Sequence, residues 1–195
     1  MGCGRYVNIE EDAAKEAAIM KISGQQVWIT GGGSGLGLAC ARRFAADGAK
    51  ITIFDLDDFS ATDRASEIGA SVVKVDVGDE TSVASAVETT IAGTGAPRVL
   101  INCAGIGLAA RIVGREGKLS TDVFQKTIQV NLIGTYLMMS HAGRAMIELE
   151  PLNGTDDRGV IINTASVAWQ DGQLRQAAYA ASKGGVASMC LPAAR

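Results

Sequence analysis

One stretch constrains this chain more than any other: Val27-Trp28-Ile29-Thr30-Gly31-Gly32-Gly33-Ser34-Gly35-Leu36-Gly37. Val27 to Ile29 is a short apolar run that reads as a buried strand, and Leu36 to Ala46 has the spacing of an amphipathic helix. A strand, a glycine-rich turn and a helix in that order open a βαβ nucleotide site. Residues without Cβ let the main chain turn tightly and let a pyrophosphate approach backbone N–H groups. The helix N-terminus adds unpaired donors and a partial positive charge. A glycine-rich turn that holds no ligand is the competing reading of the motif alone, so the rest of the chain has to decide.

The 195 residues, 47% apolar and 20% charged, suit one soluble globular domain with a sizeable core. A net charge of −3 gives no basic footprint for nucleic acid or an anionic membrane. No apolar run reaches the roughly 20 residues that a membrane span needs. Cys3, Cys40, Cys103 and Cys190 are scattered, with no CxxC spacing, which points away from a metal site and towards buried free thiols in a reducing compartment, and the lack of a recognisable targeting signal leads to the expectation of a cytoplasmic protein. His141 is the single histidine, and no nucleophile elbow accompanies it, so a Ser-His-Asp hydrolase is set aside.

Residues 1–22 read as an N-terminal tail, and residues 23–195 as the domain. Glu10 to Met20 is acidic and alanine-rich, unlike a signal or transit peptide, and Met20 is a candidate natural start. Strands are expected over Gln26–Thr30, Lys50–Phe54, Ser71–Val75, Arg98–Asn102 and Gly159–Thr164. Helices are expected over Leu36–Asp47, Ser60–Ile68, Asp79 or Glu80 to about Ala92, Thr121–Glu150 and Ala177–Ala194. Strands that alternate with helices, and that read as continuous apolar runs, predict an α/β fold with a Rossmann-like doubly wound parallel sheet. Right-handed crossovers would gather the glycine turn, Asp55, Asp76 and Gly105 at the C-terminal ends of the strands. Asn131 is a poor mid-helix residue, so it is expected to be bonded to something particular or to mark a kink.

Asp55 stands at the tip of the second strand, at the distance of about 20 residues expected of the acid that binds a ribose diol. A carboxylate there accepts hydrogen bonds from the diol and repels a 2′-phosphate, favouring NAD over NADP; a capping or loop aspartate is the plainer alternative. No Arg or Lys lies within the glycine turn or just after Asp55. Tyr179 and Lys183 are four apart and share a helix face. A phenol with a pKa of about 10 is a poor proton carrier at neutral pH, and a nearby ammonium favours its anion. Ser166, at the tip of the preceding strand, can donate a hydrogen bond to a substrate oxygen. Tyr-x-x-x-Lys alone more often means an exposed helix pair. Behind a dinucleotide turn, the trio suits proton transfer at an alcohol while hydride moves to a nicotinamide.

Thr30-Gly31-x-x-x-Gly35-x-Gly37, Asn102-Cys103-Ala104-Gly105, Asn131, Ser166 and Tyr179-x-x-x-Lys183 resemble, in order and spacing, the short-chain dehydrogenase/reductase family, from about Ser23 to Arg195. Arg158 to Ala168, Gly172-Gln173 and Gln176 to Gly185 resemble its 3-hydroxyacyl-CoA branch. The resemblance implies Tyr179 as acid/base and Lys183 as its activator and a holder of the nicotinamide ribose. It implies that Ser166 orients the substrate together with Tyr179, and that Asn131 holds a water linked to Lys183. Gly31, Ser34, Gly35, Leu36 and Gly37 would meet the pyrophosphate and nicotinamide side, and Asp55 the adenosine ribose. Asp76 and Val77 would lie at the adenine, and Asn102, Cys103, Ala104 and Gly105 beside the ribose. The implied cofactor is NAD and the implied substrate a small hydroxy compound such as an acyl-CoA, with no metal, nucleic acid or membrane partner. Family members continue beyond the position of Arg195 with two more strands and form homo-oligomers, usually tetramers. The chain is therefore expected to be part of a longer, oligomeric parent. A non-catalytic nucleotide-binding fragment and an NADPH-dependent 3-oxoacyl-carrier-protein reductase are the rival readings.

Overall fold

A computed structural model describes residues 20–152 and 155–195. The expected tail falls largely outside the described residues, as do Cys3 and residues 153–154. Met20 and Ile22 already pack against the core.

Five parallel strands form one sheet in the order β3-β2-β1-β4-β5, with β1 Gln26–Thr30, β2 Lys50–Asp55, β3 Ser71–Lys74, β4 Val99–Asn102 and β5 Val160–Asn163. The doubly wound α/β architecture read from the alternation is the one observed. β1 lies in the middle, paired with β2 on one side and β4 on the other, so the order reverses there. That is where a crevice forms beyond the strand ends in such sheets. All five residues of β1 are buried, which is why the strand reads as an unbroken apolar run rather than an alternating one.

The two sheet faces carry separate cores. Val27, Ile29, Ile51, Ile53, Val99 and Ile101 face α1 (Gly35–Ala46) and α2 (Asp58–Ser66), with Ala41, Ala61 and Ala65 between them. Trp28, Phe54, Val75 and Leu100 face α3 (Glu80–Thr94) and a later helix that supplies Leu137, Met138 and Ala142. Trp28 and Phe54 meet edge to face, with ring centroids 5.2 Å apart.

Several boundaries differ from expectation for local reasons. α2 begins at Asp58 rather than Ser60, because the Asp57 carboxylate accepts the Ser60 N–H at 3.1 Å and closes the helix start earlier. The expected helix over Thr121–Glu150 is helical without a break from Thr121 to Ile147, in two α segments, α4 (Thr121–Ile128) and α5 (Gly134–Ile147), with a wide π-type turn over Gln129–Ile133 between them. Asn131 lies in that turn, as a bonded or kinking residue would. A short helix α6 (Ala168–Asp171), absent from the sequence reading, precedes α7 (Ala177–Ala194), whose bounds match it. Cys40 and Cys103 are half-buried, whereas Cys190 is exposed, against the expectation of buried thiols. β5 is an edge strand, with Val160 40% and Ile162 45% exposed.

Gly93 lies inside the last turn of α3, with no atom within 4 Å of where a Cβ would stand. Gly93→Ala is expected to stabilise the fold by about 0.5–1 kcal/mol. A thermal melt should rise by roughly 1–4 °C, and a fall would contradict an uncrowded helical position.

Candidate cofactor and active site

The glycine turn is built by close approach. Gly31 has φ +63°, and a Cβ there would lie 2.9 Å from the backbone of Ala104, so the turn after β1 presses on the turn after β4. A Cβ at Gly37 would overlap the Gly31 carbonyl oxygen and stand 2.9 Å from Gly32 Cα. The first turn of α1 therefore folds back onto the end of β1 as no other residue would allow.

Ser34 precedes α1 in extended backbone, its hydroxyl makes no capping hydrogen bond, and the first turn of the helix holds no acid. α2 and α3 begin differently. Asp57 accepts from Ser60 N–H, and Asp79 accepts from Ser82 N–H at 2.7 Å. α1 thus begins without a side-chain cap on its N-terminal donors, while α2 and α3 each have one. Leu36, 70% exposed, sits in that open turn.

The Asp55 carboxylate accepts from Gly33 N–H at 2.9 Å and from Asp57 N–H at 3.2 Å. Asp76 accepts from Gly78 N–H at 2.9 Å. Both acids line a cleft of about 200 Å³ together with Gly31, Val77, Ala104 and Gly105. The residues assigned to the adenosine half are therefore neighbours, and Lys126 of α4 also reaches this cleft. The local sequence carried no sign of that residue.

A lateral row of polar groups joins the strand tips. Thr30 Oγ1 accepts from the N–H groups of Cys103 and Ala104, both at 3.1 Å, and lies 3.5 Å from Asn102 Oδ1. Asn102 Nδ2 then donates to Asn163 Oδ1 at 2.9 Å. The Asn102 side chain is thus engaged within the sheet edge, holding the Cys103–Gly105 turn in place.

Lys183 is only 5% exposed. Its ammonium donates to the Thr164 carbonyl at 2.6 Å and lies 5.9 Å from the Tyr179 ring centroid. Burial pushes this ammonium down from its ordinary value. Burial also pushes the neighbouring Cys103 thiol up, opposed by the Thr164 hydroxyl 3.6 Å from its sulfur. Asn131 is fully buried. Its Oδ1 accepts from Ile106 N–H at 2.8 Å, and its Nδ2 donates to the Ile106 carbonyl at 2.9 Å and to Ser182 Oγ at 3.1 Å. Thr135 Oγ1 donates to its carbonyl at 2.7 Å. Protein groups therefore engage every polar atom of the Asn131 side chain, and its first task is to clamp the loop after β4 onto α7. A Cβ at Gly105 would stand 3.2 Å from Asn131 Oδ1 and 3.8 Å from Lys183 Nζ, so the second glycine turn passes over both. Ser166 follows β5, and its Oγ accepts from Ala168 N–H at 3.2 Å at the start of α6, which packs on α7.

Arg64 of α2, also unmarked in the sequence, donates from Nη1 to the Gly33 carbonyl at 2.6 Å. No Arg or Lys is close to the glycine turn in sequence, but this one is close in space.

Residues 25–195 match the family described as short chain dehydrogenase. The chain is 41% identical over 183 residues to a human protein named 3-hydroxyacyl-CoA dehydrogenase type-2, covering 92% of this chain and 70% of that one. It is 34% identical to a borneol dehydrogenase, mitochondrial, from Lavandula x intermedia, covering 90% of this chain and 64% of that one. A crystal structure from Brucella melitensis 16M named ribose-5-phosphate isomerase superposes with a TM-score of 0.75 at 32% identity, covering 87% of this chain and 62% of that chain. The chain spans less than two thirds of that structure's length, and the isomerase activity belongs to that protein's name. Among the described residues, no helix is long and apolar enough to cross a membrane.

Proposed function

Because the chain belongs to the short chain dehydrogenases, a family of oxidoreductases, we propose that it interconverts a secondary alcohol and a ketone with NAD. We infer L-3-hydroxyacyl-CoA and its 3-oxoacyl counterpart as the substrate pair. The observation that carries this reading is that α1 begins without a side-chain cap, beside Asp55, while Ala104 and Gly105 line the same cleft and Gly105 approaches Lys183, which lies 5.9 Å from the Tyr179 ring centroid.

The residues present fit a dinucleotide. The open helix start suits a pyrophosphate, and the absence of side chains at Gly31 and Gly37 leaves the main chain free for close approach. Asp55 suits a ribose diol, while Asp76 and Val77 wall the cleft beyond it. Nicotinamide supplies the hydride acceptor when bound. The protein's own share is the proton. In the oxidative direction Tyr179 oxygen takes the hydroxyl proton, the buried Lys183 ammonium stabilises the negative charge on that oxygen, and the Ser166 hydroxyl orients the substrate oxygen. The identity shared with the human 3-hydroxyacyl-CoA dehydrogenase type-2 supports the choice of thioester. The borneol dehydrogenase likeness shows that such a chain also resembles enzymes named for other alcohols.

Calorimetric titration with NADH and NADPH, followed by NADH turnover on acetoacetyl-CoA, tests the proposal. NADH is expected to bind at least about tenfold more tightly, a difference of ~1.4 kcal/mol. Asp55→Ala should weaken NADH and narrow that ratio to about threefold or less. An unchanged ratio would remove Asp55 from the ribose site. NADPH preference in the unaltered chain would favour the carrier-protein reductase reading, and binding without turnover the non-catalytic one.

A further inference from the structure

Gly33 is held from two sides by charged side chains that belong to different elements. Its N–H donates to Asp55 Oδ2 at 2.9 Å, and its carbonyl accepts from Arg64 Nη1 at 2.6 Å. These contacts act on two different peptide planes. The Gly33 N–H belongs to the plane shared with Gly32, and the Gly33 carbonyl to the plane shared with Ser34. In a trans peptide the C=O and the following N–H point in opposite directions. Holding the Gly33 carbonyl on Arg64 therefore turns the Ser34 N–H the other way.

A glycine is the residue most free to let such a plane flip. A flip would exchange a donor for a carbonyl oxygen next to the open start of α1, where an anion is wanted. Arg64 is well placed to prevent it. α2 docks on the turn through Ala61, 1% exposed, whose Cβ would stand 2.8 Å from a Cβ at Gly33. Arg64 also makes no ion pair among the described residues, whereas Arg42, Arg43 and Lys74 each do. Its one side-chain hydrogen bond among the described residues is the one to the turn.

We propose that Arg64 is a positioning residue for the cofactor turn, fixing the Gly33–Ser34 peptide so that its N–H stays available to the pyrophosphate. The proposal rests on the nucleotide-binding part of the reading above. It differs from a direct contact with a 2′-phosphate, which would affect NADPH alone. It also differs from a general structural role, which would lower stability first.

The experiment measures ADP-ribose, NADH and NADPH affinity by calorimetry for the unaltered chain, Arg64→Ala and Arg64→Lys, alongside melting temperature. Arg64→Ala should weaken all three ligands by a common factor of about five to ten. Melting should stay within roughly 2 °C. Arg64→Lys should recover much of the loss, because an ammonium can still donate to the Gly33 carbonyl. In turnover, KM for NADH should rise by the same factor with kcat within about twofold. Unchanged ADP-ribose affinity in Arg64→Ala, loss confined to NADPH, or no recovery with lysine would each overturn the role of Arg64. Failure of the unaltered chain to bind ADP-ribose would refute the nucleotide reading itself, and this role with it.

Discussion

Tyr179→Phe is expected to lower turnover of acetoacetyl-CoA by about a thousandfold or more, the range of a lost general acid–base group. NADH affinity should stay within about twofold and the melting temperature within roughly 2 °C. The reason for the split is local. Phenylalanine keeps the ring that lies 5.9 Å from Lys183 Nζ, and Lys183 keeps its bond to the Thr164 carbonyl. Neither the helix packing nor the cleft around Asp55 changes. Only the oxygen proposed to carry the proton is lost. Steady-state kinetics with a parallel NADH titration checks it. A variant within tenfold of the unaltered rate would mean that the proton travels by another group, and a variant that no longer binds NADH would mean that the hydroxyl holds the cofactor.

Gly37→Ala should have the largest effect on the cofactor half. The added methyl would overlap the Gly31 carbonyl oxygen and crowd Gly32 Cα at 2.9 Å. Both obstacles are backbone, so neither can rotate away. The start of α1 must lift from the end of β1, at a cost of about 1–3 kcal/mol for overpacking and a fall in melting temperature of roughly 2–10 °C. NADH affinity should drop more than about tenfold, since lifting the helix start displaces its N-terminal donors. Calorimetry and a thermal melt read the two effects together. Unchanged binding and melting would mean that the turn has room which this geometry denies.

Much of the fold was legible because the central strands β1, β2 and β4 are buried on both faces. β1 reads as strand since all five of its residues are buried, and a short apolar run, Val27–Ile29, just before a glycine-rich turn has few other meanings. The start of α7 is legible by contrast, following Gly172 and a polar stretch. The Asn131 signal was legible as a misfit: an amide in mid-helix announced a partner, and the partners are Ile106 and Ser182. What could not be read is what depends on docking between elements. Arg64 has no local signature, and its meaning arises when Ala61 and Ala65 seat α2 against the sheet. The widened turn at Gln129–Ile133 likewise follows from where Asn131 must reach, not from the propensities of Gln129 to Ile133. The engagement of the Asn102 amide between Thr30 and Asn163 is likewise set by strand register, which no local pattern announces.

The lateral row at the strand tips has a kinetic meaning. Thr30, Asn102 and Asn163 tie β1, β4 and β5 side to side where parallel strands ordinarily begin to fray. To open locally at this edge the chain must break those side-chain bonds together with the backbone bonds beside them. The backbone amides beside this row are therefore expected to exchange more slowly with solvent than those of the surrounding turns and loops. The Cys103–Ala104 turn after β4 and Thr164 after β5 are bonded directly to its members.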